Sequence, residues 1–262
     1  MNDIKETPNN NLDSDRKMKK IISVIKIFVR AIRIKPKTKK RKTFGGLKKE
    51  TYAKIVSAVT KDRFSDPGIS PLAMVCKSAR IDESSTIAAG AYIGANVKIG
   101  RNTQIYPNVT ILDDTIIGNN VVVGSGTVIG GEGFGFYIEK KTNQIKHVPQ
   151  IAKVIISDNV SIGSNASIHR GSVSNTFIGE NTKINSNVHI AHNVSVGKSC
   201  VIMANTSING GVKVGDHVII NPHTAISKKV IIGDCAEIGM NSTVIRNVAP
   251  NTRVLGSPAI EK

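Results

Sequence analysis

From Ile69 to Val244 an isoleucine or valine recurs at every sixth residue, and this spacing constrains the fold more than any other property of the chain. One unbroken run leads from Ile69 through Val75, Ile81 and Ile87 to Ile129. Ile156, Ile162 and Ile168 form a short second run, and a third extends from Ile178 to Val244. A helix repeats near 3.6 residues and a strand at 2, so a strict six belongs to neither alone. It suits an all-β solenoid of short strands and tight corners, with one inward aliphatic plug on each side. Three hexads close a triangular coil, which stacks residues 18 apart. The 26 ladder positions predict between eight and nine coils. With strands about 4.8 Å apart, the prism is roughly 40 Å long.

Composition agrees with thin, stacked coils. Aromatic residues make up only 4% of the 262 and there is no tryptophan, so the plugs are branched aliphatics rather than large rings. The cysteines, Cys76, Cys200 and Cys235, are odd in number and lack metal-type spacing, which favours a reducing, cytoplasmic compartment. Residues 1–50 hold 16 of the 36 Lys/Arg but only 5 of the 19 Asp/Glu, so much of the net charge of +17 sits in an N-terminal arm.

That arm divides into three parts. Residues 1–15 are polar and expected to be disordered. Residues 16–47 read as a basic amphipathic helix and linker, with Ile21, Ile25, Phe28 and Ile32 on one side and Lys26, Arg30 and Arg33 on the other. Such a helix can lie in an anionic membrane surface, and the contact would run through residues 16–42; a solvated linker is the alternative. Charges interrupt the apolar run, so it is no transmembrane span. Stacking aromatics are missing beside the charge, and no nucleic-acid partner is expected. Residues 48–68 read as a short helix and a turn, and the β-helix follows over 69–262.

Two interruptions of the ladder are loop insertions. Between Ile129 and Ile156 stand 21 residues more than one hexad needs, giving an insertion over 131–153 that carries Phe134 and Phe136 between glycines. Rings projecting from such a loop can wall an acyl chain or a sugar face. Between Ile168 and Ile178 there are four residues too many, giving a second insertion over 169–175.

His192 lies two residues past the plug Ile190 and so points outward near a corner. One coil further stands Gly210. An imidazole there can take a proton from an attacking amine, and the glycine N–H can hold the oxygen of a carbonyl turning tetrahedral. The pair His189 and His192 could instead begin a metal site, but a third ligand is needed and His217 and His223 are no obvious match. No metal and no bound cofactor are expected.

The segments Gly130-Gly-Glu-Gly-Phe-Gly-Phe136, Val148-Pro-Gln-Ile151, Arg170-Gly171 and Ile190-Ala-His-Asn-Val194 follow one another in an order and at gaps that resemble the UDP-3-O-(3-hydroxyacyl)glucosamine N-acyltransferases of lipid A biosynthesis. The resemblance spans roughly residues 50–258. It implies a left-handed parallel β-helix and a homotrimer with sites in the grooves between subunits. It also implies an acyl donor on acyl carrier protein and a UDP-sugar acceptor. His192 would be the general base and Gly210 the oxyanion donor, with Phe134, Phe136, Asn185, His189, Asn193 and Lys229 contacting substrate. From the cysteines and the basic arm, the expected location is cytoplasmic, with a peripheral place on the inner membrane face left open. This sequence departs from the family at His169 and Asn185, where the family has aspartates, the latter expected to polarise the imidazole. His189 replaces a glutamine. Of the family's uridine-binding module only the last helix has a counterpart, near residues 48–60, and the C-terminal helical extension has none in this sequence. Two other functions therefore stay open: a sugar-nucleotide N-acetyltransferase using acetyl-CoA, and a non-catalytic trimeric scaffold.

Overall fold

The computed structural model describes residues 43–44, 47–59 and 67–261, and the chain divides into one unit over Met1–Ser65 and another over Asp66–Lys262. The basic helix expected within residues 16–42 lies outside the described residues. In the first unit, Thr43–Phe44 and Leu47–Lys48 pair antiparallel ahead of helix Lys49–Val59. An exposed Glu50–Lys54 ion pair of 2.8 Å spans one turn of that helix. At i,i+4 such a pair stabilises by only about 0.3–0.5 kcal/mol.

The second unit is a left-handed parallel β-helix. Its three faces carry nine, eight and ten parallel strands, mostly two residues long; the ten-stranded face ends in one further, antiparallel strand at Ile260–Glu261. The ten-stranded face gains Arg253–Leu255, which continues past the last ladder residue, Val244. Strand pairs match residues 18 apart, as Ile93 with Ile111. Across the first insertion the offset becomes 39, and across the second 22, so both insertions leave the register of the plugs intact.

Most plugs are 0–4% exposed, and they fill the prism axis. A second inward position, two residues before each plug, was not part of the expected pattern. It holds Val97, Val109, Val121, Val188 and Val212, alternating with threonines such as Thr103, Thr127 and Thr182. Each of these hydroxyls donates to a carbonyl of the next coil, Thr103 to Gly118 at 2.9 Å and Thr182 to Gly197 at 2.9 Å. A buried hydroxyl without such a partner would cost about 1–3 kcal/mol. The corners need a left-handed residue every sixth position, and asparagine, which tolerates that region, fills most of them, from Asn96 at φ 56° to Asn251 at φ 59°.

Candidate active site

Both insertions leave the prism beside each other. Ile151 N–H donates to the Ser172 carbonyl and Ala152 N–H to that of Gly171, so the return leg of the first insertion is laced to the second. Arg170 fastens the base: its Nε donates to the Gly130 carbonyl at 2.8 Å and its Nη2 to that of Asp113 at 2.7 Å. Between these legs Phe136–Glu139 and Gln144–His147 form an antiparallel hairpin. Phe134 and Phe136 meet edge to face at 4.6 Å, with Phe134 85% exposed. The loop glycines serve close approach rather than flexibility. A Cβ on Gly133 would stand 2.8 Å from that of His192, and one on Gly135 2.9 Å from Gln150 Nε2.

His192 is fixed from behind. Its Nδ1 lies 2.8 Å from Asn193 Oδ1. The Asn193 amide nitrogen donates to Ser174, at 2.7 Å to the carbonyl and 2.8 Å to the hydroxyl. This leaves Oδ1 facing the ring, and an amide oxygen only accepts, so the network assigns the ring proton to Nδ1. Ser172 donates to the same Oδ1 through its hydroxyl at 2.9 Å and its N–H at 3.2 Å. The four-residue insertion therefore holds the asparagine that orients the histidine. Nε2 keeps its lone pair and faces Gly210, where a Cβ would lie only 2.7 Å away. That position admits only glycine without moving the imidazole.

The peptide N–H of Gly210 is open for a reason visible in the repeat. Two residues past the plug, the N–H of Ala95, Arg101, Asn119, Ser164, Lys198 and Asp216 donates to a side-chain oxygen of the equivalent residue one coil on. The equivalent acceptor for His192 would be Gly210, which has no side chain. For Gly210 it would be Lys228, which has no acceptor atom. Neither N–H has a partner among the described residues.

Phe134, His192, Asn209, Gly210, Ser227, Lys228 and Lys229 line one groove of about 400 Å³. Of the residues expected from sequence, His192, Gly210, Phe134 and Lys229 thus come together, Phe136 stacks behind Phe134, and Asn193 stands behind His192. Asn185 and His189 lie apart from the groove. The Asn185 side-chain oxygen accepts from the N–H of its neighbour Ser186 at 2.7 Å. His189 meets His169 edge to face at 4.8 Å, and the latter's Nε2 lies 3.0 Å from Ser167 Oγ. Burial lowers the pKa of both rings, and the charges of His189 and His192 lower that of His169 further. Sequence reasoning missed Asn209, Ser227 and Lys228; their place one coil beyond His192 and Gly210 was the available signal. Among the described residues no three His, Cys, Asp or Glu side chains converge as a metal site.

A family model described as bacterial transferase hexapeptide (six repeats) matches residues 96–131, 175–210 and 193–228. UDP-3-O-acylglucosamine N-acyltransferases of Hydrogenovibrio crunogenus and Leptospira biflexa are 50% identical over 66 residues and 48% over 67, in each case 25% of this chain. The match spans only 18% of either relative's length. The solved UDP-N-acetylglucosamine acyltransferase of Francisella novicida superposes with a TM-score of 0.67 at 29% identity, covering 74% of this chain and 69% of that one. The UDP-N-acetylglucosamine O-acyltransferase of Moraxella catarrhalis gives 0.66 at 28%, covering 74% and 73%. The chain thus carries bacterial transferase hexapeptide repeats over these stretches, and along part of its β-helix it is similar to UDP-3-O-acylglucosamine N-acyltransferases.

Proposed function

We propose that the protein is an N-acyltransferase that moves a 3-hydroxyacyl chain from acyl carrier protein to the 2-amino group of UDP-3-O-acylglucosamine. The observation that carries this reading is His192 Nε2 facing Gly210, whose N–H is open. The amine nitrogen attacks the thioester carbonyl carbon, and the carbonyl electron pair moves to oxygen, where the Gly210 N–H can meet it. His192 Nε2 takes the amine proton. The tetrahedral species then collapses, the C–S bond breaks, and the imidazolium returns its proton to the leaving thiolate. Phe134 and Phe136 offer an apolar wall for the acyl chain. The scaffold reading drew on Asn185 and His169; the hydrogen bond from the His192 ring to Asn193 removes the first of these two grounds.

In this reading the protein works as a homotrimer in the cytoplasm, with residues 16–42 touching the inner membrane face. Purified protein incubated with UDP-3-O-acylglucosamine and 3-hydroxyacyl carrier protein should yield the amide by mass spectrometry. His192→Ala should slow this by about 10²–10⁴-fold. Acetyl transfer from acetyl-CoA alone would replace this reading with the acetyltransferase one. No product from either donor would sink both. Removal of residues 1–45 should abolish sedimentation with anionic liposomes, and unchanged binding would end the membrane assignment.

A further inference from the structure

Lys228 and Lys229 are the charged groove residues that proton transfer and oxyanion binding leave unused. Their positions are set by the repeat. Lys228 holds the corner position that His192 and Gly210 hold on the two preceding coils. Lys229 donates its N–H to the Gly210 carbonyl at 3.0 Å and lays its side chain along Gly211, with Cγ 3.4 Å from where a Cβ would stand. Both side chains are exposed, and neither forms an ion pair among the described residues. The groove lining contains no carboxylate. Two unneutralised ammonium groups thus stand one coil from the reacting position, at an edge of the groove that also holds Phe134.

We propose that Lys228 and Lys229 form a phosphate seat beside the reacting centre, binding a phosphate ester on one of the two substrates. This rests on the acyl-transfer reading of the same groove. Ammonium groups bind phosphate as point charges, and two adjacent ones suit a group with several anionic oxygens. Both substrates of the proposed reaction carry such a group. In the acceptor, the diphosphate sits on the sugar carbon next to the one bearing the amine. In the donor, a phosphate ends the long pantetheine arm.

Calorimetric titration of the full chain with UDP, 4′-phosphopantetheine and pantetheine separates these sources. The double variant Lys228→Met/Lys229→Met should weaken binding of one phosphorylated ligand about tenfold or more, while Lys228→Arg/Lys229→Arg should retain it. Loss for UDP assigns the seat to the acceptor. Loss for 4′-phosphopantetheine, with pantetheine unaffected, assigns it to the donor. Unchanged affinity for both phosphorylated ligands overturns the proposal, as does an equal loss for pantetheine. These titrations need no turnover. A lysine-dependent phosphate affinity in a protein that makes no amide would therefore retain the seat and reject the reaction.

Discussion

Three side chains and one missing side chain carry the proposed chemistry at the residue scale. Asn193 gives His192 a neutral acceptor where an aspartate is common in histidine-based sites, so the tautomer is fixed without a buried charge. Asn193→Ala should lower kcat by about 10–100-fold with the fold intact by circular dichroism, and Asn193→Asp, which keeps an acceptor, should restore much of it. If both variants lose equally, Oδ1 is not what matters. Gly210→Ala places a methyl against the imidazole and should abolish turnover, with a crystal structure showing the ring displaced. Lys228→Asp, read against Lys228→Met, which removes the charge without adding an acceptor, tests the open N–H itself. By the pattern at Lys198 and Asp216, the new carboxylate should accept from Gly210 and lower kcat by about 10²-fold. Unaltered kcat would mean that this N–H does not serve the oxyanion.

At the scale of elements, the two insertions act as one device. The second supplies Ser172 and Ser174 to Asn193, and the first presses Gly133 onto His192 and projects Phe134 over the groove. The hairpin's length was countable from the broken ladder, since offsets of 39 and 22 follow from 21 and four extra residues. Its contact with the second insertion was not, because no local pattern links Ile151 to Ser172. Beside this device, His169 and His189 form a half-buried pair whose pKa values are held below the ordinary 6.5. The unfolded chain therefore binds protons that the folded chain refuses. Stability should decline as pH drops below about 6.5 and level off below the folded values. Thermal melts between about pH 7.5 and pH 5 should show the decline, and His169→Gln/His189→Gln should flatten it. A slope that survives the double variant would place the titration elsewhere.

For the whole molecule, stability accumulates coil by coil, because each coil touches only its neighbours. Ile190 is fully buried in the middle of the stack, so Ile190→Ala should cost about 2–5 kcal/mol in denaturant unfolding. The first coil has Ile69 at 52% exposure and Met74 at 67%, and its amides should exchange with deuterium well before those around Ile168 to Ile208. Uniform exchange would contradict a stack that frays from its end. The sequence by itself determined the solenoid, its register, its plugs and the alignment of His192 under Gly210, because a period of six with stacked coils converts spacing along the chain directly into position. Only the tertiary structure decided that Asn193 rather than Asn185 hydrogen-bonds the histidine, that Lys228 leaves an N–H open, and that the two insertions converge on His192 and Asn193. Those features depend on side-chain direction and on contacts between loops outside the repeat, where spacing in sequence carries no distance in space.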